Sequence, residues 1–118
     1  MNFKDLLTAL LDKIDGSTAA FFCGTDGIGV ENVTFSQDIE TAVIEVEIAT
    51  ALKVITDVSI NLDFGPVSGV FIETEKTTAV VEKIQNDYFL CVLLKKEANL
   101  GRGRLELKKL AAKINREL

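Results

Sequence analysis

Histidine and tryptophan are absent from this chain of 118 residues, and cysteine occurs only twice. Because histidine is the commonest general base, its absence excludes the Ser–His and Cys–His arrangements of nucleophilic catalysis. Cys23 and Cys91 cannot complete a four-ligand zinc site by themselves. Both lie in apolar runs, AAFFCG and FLCVLLK, which predicts buried free thiols in a reducing compartment. We therefore predict that the protein is not an enzyme and has no catalytic, metal-binding or cofactor-binding residues.

Long hydrophobic runs are also missing. No apolar run nears the roughly 20 residues that a membrane span requires. The N-terminal segment MNFKDLLTALLDKID places acids among its leucines, whereas a signal peptide has an unbroken apolar core. Hydrophobic residues make up 47% of the chain and charged residues 26%, which is enough to form a core. We expect one domain over residues 1–118, located in the cytoplasm and not inserted into a membrane.

The net charge is −5, and it is unevenly distributed along the chain. Residues 95–118 contain eight basic and three acidic side chains, whereas residues 1–94 contain five basic and fifteen acidic side chains. Nucleic-acid-binding proteins usually present a dominant basic field, which this acidic chain lacks. One basic segment on an acidic body instead favours electrostatic contact with a partner protein or with a second copy of the chain.

The N-terminal third of the sequence predicts one helix and one hairpin. Apolar residues recur at helical spacing over Phe3–Ile14, and Gly16 follows where a helix C-cap is expected. Ser17–Gly24 is short, apolar and aromatic, which is typical of a buried strand. Thr25–Gly27 is a turn signal, because glycine tolerates positive φ, and Ile28–Val33 then returns as a second strand.

The segment Ser36–Ser59 carries both strand and helix signals. Its IEVEI stretch alternates like a strand, but the segment contains more than 20 residues without glycine or proline. Length favours a helix, and Ser36 and Asp38 suit its start. On that helix Glu45 and Glu47 are expected on a solvated flank rather than as a catalytic pair.

The long helix has apolar residues on two sides. One helical face contains Ile44, Ile48, Ala51 and Ile55. A second side contains Ile39, Val43 and Val46. One side can cover a sheet, whereas the other needs a different cover.

The C-terminal half predicts three strands and a closing helix. The strands are Val67–Thr74, Thr78–Gln85 and Tyr88–Lys95, and their short connections are of hairpin length. The third is apolar almost throughout and should be central, whereas the first contains glycine and suits an edge. Leu100–Leu118 has one apolar stripe, which predicts a helix. Antiparallel hairpins with helices on both faces predict a three-layered α+β fold.

Two stretches are rich in glycine, as phosphate-binding loops are, but neither has the sequence pattern of such a loop. GTDGIG lies between two strands, which favours a hairpin turn, and GRGR lacks the lysine and Ser/Thr of a phosphate loop. A single Arg-Gly copy without aromatic residues also does not indicate nucleic-acid binding. Gly103 falls on the apolar stripe of the last helix, so we predict that it lets this helix dock closely on the sheet. Arg102 and Arg104 remain on the rim.

Three segments, together with the order of elements, resemble the Roadblock / dynein light chain domain family. They are TDG (Thr25–Gly27), IETEKTTAVV (Ile72–Val81) and ANLGRGRLELKKLAAKI (Ala98–Ile114). The resemblance covers the whole chain and implies a five-stranded antiparallel sheet, with the long helix on one face and the terminal helices on the other. It also implies a homodimer in which the first C-terminal strand pairs with its copy and the long helices pair. The implied interface residues are Ile44, Ile48, Ala51, Ile55, Val67, Gly69 and Phe71.

Members of this family commonly act as non-catalytic scaffolds or as regulators of Ras-like small GTPases. The chain resembles the stand-alone bacterial or archaeal members that regulate gliding-motility GTPases. The first hypothesis is therefore a homodimeric adaptor that regulates a Ras-like small GTPase. A structural light-chain-type subunit of a larger complex, without a GTPase, is the alternative. A small-ligand sensor is a third hypothesis, although the sequence offers few polar groups to converge on a cavity.

Overall fold

Three helices and five strands follow one another in the predicted order, in a computed structural model that describes residues 1–118. The helices are α1 (Phe3–Asp12), α2 (Thr41–Asn61) and α3 (Leu100–Glu117). The strands are β1 (Ser17–Gly24), β2 (Gly29–Thr34), β3 (Gly69–Glu73), β4 (Thr78–Ile84) and β5 (Tyr88–Leu94). These elements confirm the predicted α+β fold class.

The five strands form one antiparallel sheet in the order β2-β1-β5-β4-β3. β5 lies at the centre because its YFLCVLL sequence is apolar on both faces, and all but its first residue are buried. β2 and β3 form the two edges, and their side chains are half-buried or exposed. The central position of β5 and the edge position of β3 were both expected from composition, and both are confirmed.

Alternation along the strands divides the core into two layers. In β1, Ala20 and Phe22 face one side of the sheet and are covered by α1 and α3. Phe21 and Cys23 face the other side, which is covered by α2. Because successive side chains of a strand point to opposite faces, one apolar strand supplies both layers. The long helix therefore lies alone on one face of the sheet, and the two terminal helices share the other.

Aromatic contacts join α1 to the sheet. The Phe22 ring centroid lies 4.6 Å from that of Phe3 in α1 and 5.2 Å from that of Tyr88 in β5. Both pairs are tilted, which suits the charge distribution of aromatic rings. Phe22 itself is almost fully buried, so it connects three elements within the layer under the terminal helices.

The start of α3 depends on an asparagine cap and a buried glycine. The Asn99 side chain accepts a hydrogen bond from the Arg102 backbone N–H at 3.0 Å, which satisfies one of the open donors of the first turn. Gly103 is buried, and a Cβ on it would lie 2.8 Å from Cδ1 of Leu94 in β5. The missing side chain thus allows the first turn of α3 to lie directly against the end of the central strand.

The two glycines of GRGR should respond differently to alanine. Gly103→Ala gains up to about 1 kcal/mol in helix propensity but inserts a methyl group against the fully buried Leu94, which costs about 1–3 kcal/mol. Gly101 is exposed, and a Cβ there would meet only the Asn99 side chain. We expect Gly103→Ala to lower the urea midpoint and Gly101→Ala to leave it unchanged or raise it. Equal midpoints for the two variants would contradict the close docking of α3.

Several predicted boundaries were wrong by a few residues. α2 begins at Thr41 rather than at Ser36, and its N-cap, Glu40, makes no capping side-chain hydrogen bond. Ser36 instead accepts a hydrogen bond from the Asp38 N–H in a turn, and the half-buried Ile39 packs against the core under α2. The chain needs these residues to pass from the sheet edge to its face, a demand that local sequence signals do not show.

Shorter corrections concern α1 and β3. α1 ends at Asp12, and Gly16, with φ +87°, lies in the turn before β1 rather than at the helix cap. β3 begins at Gly69, so Val67 precedes the strand. None of the three helices is both long enough and apolar enough to cross a membrane.

Candidate protein-interaction surface

The inner side of α2 covers one face of the sheet with a small set of side chains. Glu45, Ala49 and Leu52 are the buried residues of this helix. Ile44 and Ile48 lie beside them, half-buried, and pack against the same core. The sheet contact is therefore narrow for a helix of 21 residues. Much of the remaining apolar surface of α2 has no cover within the chain.

The side of α2 that points away from the sheet is apolar and exposed. Val43, Val54 and Val58 lie close together on the helical wheel, and Val54 is 58% exposed. The half-buried Ala51 and Ile55 continue this stripe toward the flank. We refer to these five residues as the outer face of α2. Apolar stripes of this kind mark contact sites when they lie on a regular, well-formed helix.

The edge strand β3 contributes side chains to the core under α2. Val70 and Ile72 point toward α2 and pack against the same core as Ile44 and Ile48. Phe71 points to the opposite side of the sheet and is 47% exposed. No strand of the chain pairs with the outer side of β3. The half-buried side of α2 and the unpaired edge strand β3 therefore share one core cluster.

The predicted interface residues fall on two elements and one loop. Ile44, Ile48, Ala51 and Ile55 all lie on the half-buried flank of α2. Gly69 and Phe71 lie in β3, and Val67 lies just before it. Sequence reasoning missed Val70 and Ile72, which are the β3 side chains on the α2 side. Because they alternate with Gly69 and Phe71 along β3, they could have been assigned to the α2 side as soon as the orientation of one residue of the strand was known.

The arginines of GRGR have different surroundings. The Arg104 guanidinium carbon lies 5.4 Å from the centre of the Phe71 ring, within the range of a cation–π contact. Arg102 lies 3.9 Å from the Glu106 carboxylate, and Lys109 lies 3.5 Å from the same oxygen. Arg102 and Lys109 are more than half exposed, whereas Glu106 is only 6% exposed, so the two cations cover a buried carboxylate from the solvent side. Arg104 instead connects the start of α3 to the β3 edge.

The two cysteines are free and buried, as the sequence predicted. Burial raises the pKa of both thiols to about 12, and the nearby Glu45 and Asp26 carboxylates add to the shift at Cys23. The Cys23 thiol donates a weak hydrogen bond to the Gly24 carbonyl at 3.3 Å. Because the thiolate is the reactive form, both cysteines are inert packing residues at neutral pH.

Glu45 contradicts the sequence prediction of an exposed flank. Only 6% of its surface is exposed, and its Oε2 atom has no hydrogen-bond partner. Glu47 is exposed, as expected. Helical periodicity could not show which of Glu45 and Glu47 is buried, because only the tertiary structure shows which side of α2 contacts the sheet. Burial raises the pKa of the Glu45 carboxyl above its ordinary value.

The burial of Glu45 makes stability depend on pH. Its folded-state pKa is higher than its unfolded-state pKa, so the unfolded chain binds fewer protons and stability falls as the pH rises above about 4.5. We expect Glu45→Gln to raise the unfolding free energy at pH 7 by about 1 kcal/mol, the low end for an unsatisfied buried group. At pH 4 the gain should shrink. Urea titrations at both pH values, with Glu47→Gln as control, measure this, and an equal gain at both would contradict it.

The sheet, the helices and the exposed surface together define a class of protein. A five-stranded antiparallel sheet carries one long helix on one face and two terminal helices on the other, and it has an uncovered apolar helix face and an open edge strand. No nucleophile–base pair or cluster of metal ligands accompanies it. This is a small α+β domain with an uncovered apolar helix face and an unpaired strand edge.

The chain belongs to the Roadblock/LC7 family. Its fold matches MglC from Myxococcus xanthus at 31% sequence identity, over the full length of both chains, with a TM-score of 0.70. A Roadblock/LC7 domain from Streptomyces avermitilis matches at 19% identity, with 99% and 98% of the two chains covered and a TM-score of 0.89. MglB from Myxococcus xanthus matches at 16% identity, with 99% and 97% covered and a TM-score of 0.87. No protein-family model and no curated protein matches the sequence.

Proposed function

We propose that this protein is a cytoplasmic, non-catalytic, homodimeric adaptor that regulates a Ras-like small GTPase. The observation that carries the proposal is that one chain presents both an uncovered apolar outer face on α2 and an unpaired edge at β3. A surface of this kind needs a cover, and a second copy of the chain offers one of the same shape and chemistry.

A dimer with its two-fold axis beside β3 would cover the outer face of α2 and pair the open edge of β3 at the same time. The two β3 strands would pair edge to edge, which removes an exposed edge from each copy. The same axis would bring the two α2 flanks together, so that Val54 and Val58 face their counterparts. Such an interface is isologous, since the same patch serves on both copies. One of the similar solved structures is described as MglB with a tetrameric arrangement, so self-association of this fold is described for that protein.

The proposed link to a Ras-like GTPase rests on membership of the Roadblock/LC7 family. Roadblock proteins resembling this chain commonly regulate Ras-like GTPases, and the similar structures include a gliding protein, MglB, from Thermus thermophilus. This chain contributes no histidine and keeps both thiols buried, so its role would be to bind and position rather than to perform chemistry. The acidic body and the basic α3 offer charged surfaces of both signs to a partner.

Two measurements test the proposal in order. Native mass spectrometry should give twice the 12.9 kDa mass of one chain. A Ras-like GTPase encoded beside this protein should then bind the dimer more tightly in one nucleotide state than in the other, or hydrolyse GTP at a changed rate. A monomer at micromolar concentration would refute the dimer. A dimer that binds the GTPase in neither state would favour the structural light-chain-type scaffold instead.

A further inference from the structure

The edge of the sheet opposite β3 has features that the dimer does not use. Ile28, just before β2, is 69% exposed, and Val30 in β2 and Val46 in α2 are about half exposed. The β1–β2 turn lies against α2, since a Cβ on Gly27 would be 3.5 Å from the Val46 Cα and Cγ2 atoms. Val46 therefore lies beside the β1–β2 turn on the α2 side of the sheet, whereas Ile28 and Val30 line a shallow hollow with Tyr88, which packs against the core under the terminal helices.

A buried carboxylate, that of Glu45, lies on the α2 side of this edge. All three atoms nearest to the place where Gly29 would carry a Cβ belong to the Glu45 carboxylate, with Oε1 at 2.9 Å. Glu45 thus extends from α2 over the backbone of β2. Gly29 does not have a positive φ, so its backbone does not require glycine. The absent side chain leaves room for the carboxylate instead.

Nothing in the chain neutralises Glu45. The three ion pairs of the molecule involve Glu82 and Glu106, and none reaches Glu45. Glu45 and Asp26 both lie near the Cys23 thiol, and no basic side chain pairs with Glu45. A buried carboxylate without a donor is destabilising, because its hydration is lost and not replaced. A cationic group from a partner molecule would replace the lost hydration of the carboxylate.

We propose that the β2 edge is a binding site for a partner protein, which inserts an arginine or lysine side chain beside Gly29 to pair with Glu45. Val46, which follows Glu45 in α2 and is about half exposed, would contact the aliphatic stem of that side chain and help to exclude water from the ion pair. Gly29 and Asn32 face the α2 side of the sheet, as their pairing with Cys23 and Phe21 shows. The cation would therefore approach from the α2 side of this edge.

The backbone at this edge favours side-chain recognition over addition of a strand. The β1–β2 register shifts between Phe22 and Cys23, which leaves Val30 without a direct partner. Bulges of this kind interrupt an edge as a template for pairing and re-aim nearby side chains. A single inserted cation is thus the occupant that fits this site. The site lies at the opposite edge from β3 and does not depend on the dimer proposed above.

A peptide titration tests the proposal. The probes are two nine-residue peptides with apolar flanks, identical except for a central arginine or glutamine. In ¹H–¹⁵N NMR spectra, the arginine peptide should shift the amides of Gly29 and Val30, and the glutamine peptide should not. Glu45→Gln should weaken binding at least tenfold, whereas Glu47→Gln on the same helix should leave it unchanged. Gly29→Ala, which displaces the carboxylate without removing it, should also weaken binding.

The outcomes are separable from folding and from dimerisation. Glu45→Gln is expected to be more stable than the parent chain, so a loss of peptide binding cannot come from unfolding. The native mass of each variant reports the dimer independently. Equal shifts with both peptides, no shift at Gly29 with the arginine peptide at millimolar concentration, or unchanged binding by Glu45→Gln would each overturn the proposal.

Discussion

Val54→Arg should convert the proposed dimer into a monomer while leaving the fold intact. Val54 is at the middle of the outer face of α2 and is 58% exposed in the single chain, so an arginine there disturbs no core contact. In the dimer, the two-fold axis would bring two such arginines into a desolvated apolar contact. Burying an unpaired charge at the centre of an interface costs about 2–4 kcal/mol or more, which weakens association roughly 30- to 1000-fold.

Native mass spectrometry and sedimentation at micromolar concentration measure this effect. The variant should run at the mass of one chain, 12.9 kDa, and its thermal unfolding should lose the concentration dependence that a dimer shows. Ile28→Arg is the matched control, because it also replaces an exposed aliphatic residue but lies at the opposite edge of the sheet. If Val54→Arg stays dimeric, the outer face of α2 is not the interface.

The same experiment at Ile48 or Phe71 would be harder to interpret. Ile48 is half-buried and packs against the core under α2, so Ile48→Arg would destabilise the fold as well as any interface. Phe71 points to the α3 side and lies under Arg104, so Phe71→Arg would place two guanidinium groups together. Both variants should lower the stability of the fold, so a change from dimer to monomer mass would not show whether the interface or the fold was disrupted.

Phe22→Ala should be the most destabilising single substitution considered in this chain. The Phe22 ring is 2% exposed and contacts the rings of Phe3 and Tyr88, so its loss leaves a cavity among three elements. Phenylalanine-to-alanine changes of this kind cost about 3–5 kcal/mol. For a domain of this length, that corresponds to a fall in the thermal midpoint of roughly 10–20 °C.

Phe35→Ala is the matched control for this prediction. Phe35 follows β2 and is 60% exposed, so removing its ring creates no buried cavity. We expect its thermal midpoint to stay close to that of the parent chain, since surface substitutions usually change stability by about 0.5 kcal/mol or less. Calorimetry on the three proteins at equal concentration makes the comparison. Similar midpoints for the two alanine variants would show that Phe22 is not the central contact of its layer.

The spacing of apolar residues predicted much of the candidate site, but it did not predict which side of α2 contacts the sheet. The recurrence of Ile44, Ile48, Ala51 and Ile55 predicted an apolar side of the long helix, and these residues do share its half-buried flank. The wheel placed Glu45 on a solvated side, whereas the sheet covers it. Helical periodicity gives the angles between side chains but not the direction of the sheet, so a single rotation of the helix changes every assignment.

The sequence by itself determined the order of the elements, the central position of β5 and the inertness of both cysteines. Each of these follows from local composition, because apolar runs, turn residues and helical periodicity act over neighbouring positions. Only the tertiary structure decided that Val70 and Ile72 share a face with α2, that Arg104 covers Phe71, and that Glu45 lies over Gly29 without a donor. These contacts join residues far apart in the chain, and they depend on the rotation of α2 and the docking of α3, which no local pattern fixes.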